Sequence, residues 1–206
     1  MNLPNKITLS RIALIPIIVV LLSLRNMTGI FGANSVLIIN IASAVIFAIA
    51  SLTDGIDGHI ARKYNLITNF GKFMDPIADK LLVNSLFIIL TGMGKIHWLV
   101  TVIMVSRDII VDVIRLIMVE RGTVIAASIW GKLKTVAQMI ALIFVLALPA
   151  PDGHWLNICT DVLTYIAAFI SLMSGFDYFW KNRKVLYNDE LLFGVKKYNV
   201  QFQYIW

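Results

Sequence analysis

The sequence predicts an all-α integral membrane protein of six transmembrane helices with an N-terminal interfacial segment. Apolar residues make up 59% of the chain and charged residues only 15%, whereas an ordinary soluble domain is roughly 25% charged. Six mostly apolar stretches, separated by turn-forming residues, are candidates for helices that cross the hydrocarbon core, which takes ~20 residues. A chain this apolar cannot cover its surface as a soluble globule, so a bilayer is its natural solvent.

The six candidate helices follow one another without an internal repeat. Pro16 lies inside the first, and the second is expected to continue into the polar stretch that follows it. We expect one domain over residues 1–184 and a C-terminal tail over 185–206, where aromatic residues stand among charges. The tail either anchors at the membrane surface or is a disordered or non-native extension, and we assign it no function. The candidates cover residues 7–25, 35–51, 81–94, 98–119, 124–148 and 156–180.

The placement of lysine and arginine predicts the orientation, because cytoplasmic loops carry an excess of both. With the N-terminus in the cytoplasm, six crossings return the C-terminus to the same side. The outer side then holds only Arg25 and Lys95. The cytoplasmic side receives Lys6, Arg11, Arg62, Lys63, Lys72, Lys80, Arg121, Lys181, Arg183, Lys184, Lys196 and Lys197. We therefore expect both termini in the cytoplasm.

Charge and cysteine content exclude several classes of protein. The net charge of +6 suits an anionic membrane surface or substrate, and no basic stripe interleaved with aromatic residues points to nucleic acid. Cys159 is the one cysteine, which excludes an intrachain disulfide and a cysteine-rich metal site. His59, His97 and His154 lack metal-ligand spacing to one another, and we expect none of them to be catalytic.

Four aspartates gather in the region between the second and third candidate helices. Asp54 and Asp57 are three residues apart, and Asp75 and Asp79 are four apart, so each pair shares one face of a helix. Four carboxylates at a low-dielectric boundary need a compensating charge. Hard oxygen donors without cysteine favour Mg²⁺, Mn²⁺ or Ca²⁺. The pattern predicts a divalent metal site, and two metal ions are a standard device for phosphoryl displacement.

Small residues and one cation are interleaved with the aspartates. Gly58 follows Asp57, Ala61 lies one turn further on, and Gly71 precedes Asp75 by one turn. Small side chains allow a bulky anion or a neighbouring helix to approach, and Arg62 can neutralise phosphate charge. A single acidic residue here would usually mark only a solvated helix end. Four at regular spacing argue against that interpretation, although either glycine alone is more typical of packing.

The stretch 54–79 resembles the signature of the CDP-alcohol phosphotransferases at every fixed position. That signature is Asp, two residues, Asp-Gly, two residues, Ala-Arg, eight residues, Gly, three residues, Asp, three residues, Asp. Eight fixed residues at fixed gaps are highly specific, and the six-helix layout extends the resemblance to about Lys184. The matching residues are Asp54, Asp57, Gly58, Ala61, Arg62, Gly71, Asp75 and Asp79.

The resemblance implies an activity that transfers a phosphatidyl group from CDP-diacylglycerol to an alcohol. It implies that Asp54, Asp57 and Asp75 bind metal, as two Mg²⁺ or Mn²⁺ ions, and that Asp79 is a ligand, the general base, or both. It further implies a homodimer, a bacterial inner membrane and an active site at the cytoplasmic leaflet. The residues expected to contact the CDP-lipid are Asn5, Thr8, Gly58, Ala61, Arg62 and Gly71.

The N-terminal residues Asn5 and Thr8 admit two interpretations. Together with Arg11 they recur at helical spacing near the membrane interface. They either touch the nucleotide or merely cap and anchor the first helix.

Further stretches resemble the subgroup of this family whose acceptor is glycerol 3-phosphate. These are residues 2–8 with Arg11 and Pro16, residues 75–81, Ser106-Arg107-Asp108 followed by Arg115, and residues 131–135 with Gln138. The subgroup often has glutamate where this chain has Asp108, a small departure. These matches are less specific than the aspartate signature.

Four cations in the fourth and fifth candidate helices suit a phosphate-bearing acceptor. Arg107, Arg115, Lys132 and Lys134 lie in the halves that we expect near the cytoplasm, and charge inside a membrane usually marks function. The alternative is internal pairing, since Arg115 shares a helix face with Asp108 and Asp112, whereas neither lysine has an acid nearby in sequence. An uncharged acceptor would leave both lysines without a role.

Rival functions remain within and outside the class. Serine, inositol, inositol phosphate and choline-like alcohols are alternative acceptors. A metal-ion or small-solute transporter is the rival of another class, because intramembrane carboxylates also mark ion paths. A channel should carry acids across the full membrane depth, whereas here they cluster at one end. Ser171, Ser174 and Asp177 form a polar stripe on the last helix that is typical of helix packing, with Asp177 also able to face the cavity.

Overall fold

The computed structural model describes residues 3–26, 32–63, 69–120, 129–148 and 154–186. Within these ranges all regular secondary structure is α-helical, which confirms the predicted fold class and the six helices. Most of the predicted C-terminal tail lies outside the described residues. The helices are α1 (Leu3–Asn26), α2 (Gly32–Lys63), α3 (Asn69–Gly92), α4 (Trp98–Glu120), α5 (Ile129–Ala147) and α6 (His154–Leu186).

Several helices extend beyond the apolar stretches that predicted them. α2 continues to Lys63, as expected, and α3 begins at Asn69, twelve residues before its apolar stretch. α1 begins at Leu3, so the expected interfacial segment is continuous with it. Hydropathy marks only the part of a helix that suits hydrocarbon, whereas backbone hydrogen bonding carries the helix on into polar surroundings.

The six helices pack as a closed ring. α1 lies against α2 and α3, α5 lies against α2 and α6, and α4 lies against α6 and α3, while α3 also contacts α5 across the centre. Because residues 64–68 join α2 to α3, the last turns of α2 and the first turns of α3 lie at one end of the bundle.

The apolar core is shared by all the helices of the ring. Its largest fully buried side chains include Phe47 on α2, Phe87 on α3, Met104 on α4 and Leu142 on α5. Buried alanines on α2, α5 and α6 let the helices approach closely, as is usual in membrane proteins.

The outward faces of the helices are also apolar. Large side chains such as Ile38, Leu52, Leu116 and Phe169 are exposed by more than half, which would be costly in water. Among the described residues, three stretches are long and apolar enough to cross a membrane: Ser35–Thr53, Ile129–Ala147 and Trp155–Arg183. The chain is therefore an integral membrane protein.

The connection between α3 and α4 is a tight turn built around Gly94. Gly94 has a φ of 71°, its N–H donates to the Thr91 carbonyl, and the Lys95 N–H donates to the Leu90 carbonyl, each at 2.9 Å. This is the Schellman arrangement, which places glycine in the left-handed region. Lys95 Nζ also donates to the carbonyls of Val145 and Leu148 at 3.0 and 3.3 Å, so the turn caps the end of α5.

We expect Gly94→Ala to lower the free energy of unfolding by about 1–2 kcal/mol, because an L-residue is strained at this φ. Gly92→Ala is the matched control: a Cβ at either glycine would have open space, and only Gly94 has the positive φ. The measurement is the denaturation midpoint of the detergent-solubilised protein. Equal midpoints for both variants would contradict the strain argument.

Candidate active site

The four aspartates of the signature lie on two helices that meet at one end of the bundle. Asp57 lies six residues before the end of α2, and Asp75 lies six residues after the start of α3. Asp54 and Asp79 lie nine and ten residues from those same ends. At 1.5 Å per residue, the two pairs stand at matched depths of about 9 and about 14 Å. The helices also share α1 and α5 as neighbours, so the register favours one cluster.

Asp79 is the member of this set whose side chain the structure describes. It is half-buried, and its helix packs against α5, the helix that carries Lys134. The helical positions of the other predicted metal and CDP-lipid residues are described, but their side chains lie outside the described part. These residues are Asn5, Thr8, Asp54, Asp57, Gly58, Ala61, Arg62, Gly71 and Asp75.

A buried carboxylate, Asp108 of α4, organises the basic part of the site. Lys134 Nζ donates to its Oδ1 at 2.6 Å, and Arg107 Nη1 donates to the same oxygen at 3.0 Å. Asp108 is only 3% exposed and Lys134 only 7%. Removing one partner of a buried ion pair costs about 3–5 kcal/mol, so each charge here depends on the others. Two cations around one carboxylate leave the cluster with a net positive charge.

Arg107 links this cluster to α6. Its Nη2 donates to Ser174 Oγ at 2.6 Å, while Nη1 is bound to Asp108. A guanidinium has five N–H donors in a rigid fork, and these two contacts use two of them. The remaining donors suit an anion such as a phosphate.

A second ion pair fastens α3 to α4 beside Asp79. Lys80 Nζ donates to Asp112 Oδ1, and both side chains are partly buried. Asp112 lies one turn after Asp108, so α4 presents two acids to cations on two different helices. The pair also fixes the stretch of α3 that carries Asp79.

The structure brings together two of the four cations predicted to bind the acceptor phosphate. Arg107 and Lys134 meet at Asp108, whereas Arg115 and Lys132 are exposed. The alternative of pairing along one face of α4 is not what the described residues show, because Asp108 and Asp112 bind cations from other positions rather than Arg115. Lys134, which has no acid nearby in sequence, pairs with one 26 residues away.

Sequence reasoning missed two contributions to the site. Asp108 appeared as a departure from a subgroup pattern and as a possible partner of Arg115, yet it binds Arg107 and Lys134. Ser174 appeared as a packing residue, and it is buried, but it also accepts a hydrogen bond from Arg107. Asp177, in the same stripe, pairs with Lys181 one turn along α6 at 2.8 Å. The polar stripe on α6 was the one sign in the sequence that Ser174 has a polar partner. Helical periodicity along α6 could not show that this partner is Arg107 of α4.

The chemistry of the donor set fits a divalent cation. The four aspartates supply only hard carboxylate oxygens, which Mg²⁺ and Mn²⁺ prefer, and they lie near the two helix ends that are consecutive in the chain. Arg107 on α4 and Lys134 on α5 belong to helices that both pack against α3, the helix of Asp79.

Comparisons with known proteins identify the family of the chain. The family model described as CDP-alcohol phosphatidyltransferase matches residues 1–176. A Bacillus subtilis (strain 168) protein named CDP-diacylglycerol–glycerol-3-phosphate 3-phosphatidyltransferase is 42% identical over 90% of this chain and 97% of its own length. The Rickettsia bellii protein of the same name is 37% identical over 86% and 93%.

A third relative, from Mycobacterium tuberculosis (H37Rv), is named a probable phosphatidylglycerophosphate synthase. It is 38% identical over 86% of this chain and 79% of its own length. The family model covers most of the chain, including the aspartates of α2 and α3 and the Asp108 cluster, and the relatives align over nearly their whole lengths. The chain therefore belongs to the CDP-alcohol phosphatidyltransferase family.

Proposed function

We propose that the chain transfers the phosphatidyl group of CDP-diacylglycerol to glycerol 3-phosphate, giving phosphatidylglycerophosphate and CMP. The observation that carries the choice of acceptor is the net-positive cluster of Arg107, Asp108 and Lys134, on two helices that both pack against α3, the helix of Asp79. The names of the relatives support the same acceptor. An uncharged alcohol such as inositol would gain nothing from two buried cations, and family membership favours an enzyme over a transporter.

The proposed reaction is a direct displacement at phosphorus. The acceptor hydroxyl attacks the phosphorus that bears diacylglycerol, the bond from that phosphorus to the CMP oxygen breaks, and CMP leaves. Asp79 takes the proton from the attacking hydroxyl, as a general base must. Arg107 and Lys134 hold the phosphate of glycerol 3-phosphate, so the hydroxyl at its other end is directed toward Asp79.

Asp54, Asp57, Asp75 and Asp79 would hold two divalent ions, Mg²⁺ or Mn²⁺. When bound, these ions neutralise the diphosphate and stabilise the negative charge on the departing CMP. Asp79 would thus serve both the metal and the proton, whereas the Asp108 cluster would serve the acceptor alone.

We place the protein in a bacterial inner membrane with both termini in the cytoplasm and six membrane crossings. Lysine and arginine placement supports this orientation, and the relatives are bacterial. The active site would then open at the cytoplasmic leaflet, where a lipid head group and a soluble phosphate ester meet. The homodimer implied by the family resemblance stays a prediction.

Chelation should abolish CMP release from CDP-diacylglycerol by the purified protein in detergent, because the carboxylates would repel the diphosphate without a cation. Added Mg²⁺ or Mn²⁺ should restore it. The measurement is CMP formation with glycerol 3-phosphate before and after metal is returned. Full activity in the chelated, metal-free protein would contradict the metal proposal.

Asp79→Asn should lower kcat by at least about 10²-fold, because the amide cannot accept the hydroxyl proton. Asp161→Asn is the control, since Asp161 is an exposed acid near the start of α6, distant from the cluster along the helix. Initial rates of CMP release compare the two variants. A rate for Asp79→Asn within a few-fold of the unmodified protein would remove Asp79 from the role of base.

Arg107→Lys should raise the KM for glycerol 3-phosphate by roughly 10-fold while leaving the KM for CDP-diacylglycerol unchanged. Lysine keeps the charge but loses the planar fork that grips a phosphate in two places. Lys181→Met, which removes an exposed lysine from a surface pair on α6, should change neither constant. Kinetics are measured with glycerol 3-phosphate, serine, inositol and inositol phosphate, and preference for an acceptor other than glycerol 3-phosphate would overturn the assignment.

A further inference from the structure

The side chain of Arg107 lies across two consecutive residues of α6, Ser174 and Gly175. Ser174 Oγ accepts the hydrogen bond from Arg107 Nη2 at 2.6 Å. A Cβ atom added at Gly175 would stand 3.0 Å from Arg107 Cγ, 3.7 Å from Nε and 4.0 Å from Cδ. The aliphatic part of the Arg107 side chain therefore occupies the space that a side chain at position 175 would need. The hydroxyl of Ser174 accepts a hydrogen bond from the guanidinium at its end.

The other side of Arg107 is open. A groove of about 440 Å³ runs between α4 and α6, and Arg107 and Gly175 both line it together with apolar side chains such as Leu172 and Phe176. Apart from Ser106, the walls of the groove are apolar, and no hydrogen bond from Arg107 to a residue of this groove is present among the described contacts. The position of the guanidinium is therefore set by its hydrogen bonds to Asp108 and Ser174. The absence of a side chain at Gly175 leaves room for the rest of the Arg107 side chain.

We propose that Ser174 and Gly175 are positioning residues that hold the Arg107 guanidinium for the acceptor phosphate. Gly175 supplies room for the stem, and Ser174 fixes the rotation of the fork by binding one of its terminal nitrogens. The guanidinium thereby keeps its remaining donors in one orientation. This inference rests on the proposed role of Arg107 in acceptor binding, and it adds two residues of α6 that would not touch the substrate.

A methyl group at Gly175 would push Arg107 toward the groove. A separation of 3.0 Å is too short for two carbon atoms, so the stem must shift by a few tenths of an ångström, and the groove gives it room. The shift pulls the fork away from Ser174 and Asp108 while the surrounding helices stay packed. The cost falls on recognition of the acceptor, because the hydrogen bonds that orient the guanidinium weaken.

The kinetic experiment compares Gly175→Ala, Ser174→Ala and Gly92→Ala in detergent-solubilised full-length protein. We expect the first two to raise the KM for glycerol 3-phosphate by about 3- to 10-fold, the loss typical of one misplaced hydrogen bond. Their kcat and their KM for CDP-diacylglycerol should stay within about twofold, as should every constant of Gly92→Ala. Unchanged KM values, or a uniform loss in all constants, would overturn the positioning role.

A stability cycle tests the contact independently of activity. Replacing glycine by alanine inside a helix normally raises the unfolding midpoint by about 2–4 °C for a chain of this size. Gly175→Ala should raise the midpoint in an Arg107→Ala background, because the long side chain that would clash is gone. In the protein that keeps Arg107, the same substitution should not raise the midpoint. An equal increase of the unfolding midpoint in both backgrounds would overturn the proposed contact between Arg107 and Gly175.

The two experiments separate this inference from the proposed function. Arg107→Lys could leave the KM for glycerol 3-phosphate unchanged while the stability cycle shows coupling. The contact between Arg107 and Gly175 would then be supported, and the role of Arg107 in acceptor binding would be contradicted. If Arg107→Lys raises that KM while Gly175→Ala and Ser174→Ala do not, the acceptor site stands and the positioning role falls.

Discussion

The buried carboxylate of Asp108 is the interaction on which the charged end of this bundle depends. It accepts from Lys134 of α5 and from Arg107 beside it on α4, and Arg107 in turn donates to Ser174 of α6. Three helices are thereby joined through charged groups. In a low-dielectric interior a lone carboxylate or ammonium carries a large desolvation penalty, so removing one member would leave its partners with an uncompensated buried charge. The cluster keeps one positive charge in excess, which is what an anionic substrate requires.

The same constraint explains how α3 and α4 reside in a membrane protein although both carry several charges. Lys80 and Asp112 pair with each other, and Asp108 satisfies Lys134, so charges that hydropathy counts against a helix are matched between helices. At the opposite end of the bundle, where α3 connects to α4, polar groups are satisfied in a different way. There the Gly94 turn and Lys95 cap helix ends through backbone carbonyls, and the core between the two ends is apolar. The two ends of the bundle therefore differ in how their polar groups are satisfied.

Placement of the acids and bases on separate helices gives the proposed chemistry its geometry. The aspartates belong to the joined ends of α2 and α3, at matched depths, and the cations belong to α4 and α5. In the proposed reaction, the acceptor phosphate would therefore bind on a different pair of helices from the metal. The division also separates metal binding from acceptor recognition, so a variant in one part leaves the other testable. Ser174 and Gly175 would extend the acceptor side to α6, since they fix the fork of Arg107 against an otherwise open groove.

The sequence by itself determined the fold class, the six helices and the family. Hydropathy and turn-formers located each helix, although the polar first half of α3 was missed because hydropathy marks only the part suited to hydrocarbon. The spacing of Asp54, Asp57, Asp75 and Asp79 predicted an acidic cluster, because each pair has a helical spacing and few residues separate the two pairs. Only the tertiary structure decided the partners of the buried charges. Helical spacing suggested Arg115 for Asp108 and no acid for Lys134, yet Asp108 binds Lys134, 26 residues away. Ion pairs between helices follow from how the helices pack around one another, and no local periodicity in the chain encodes that.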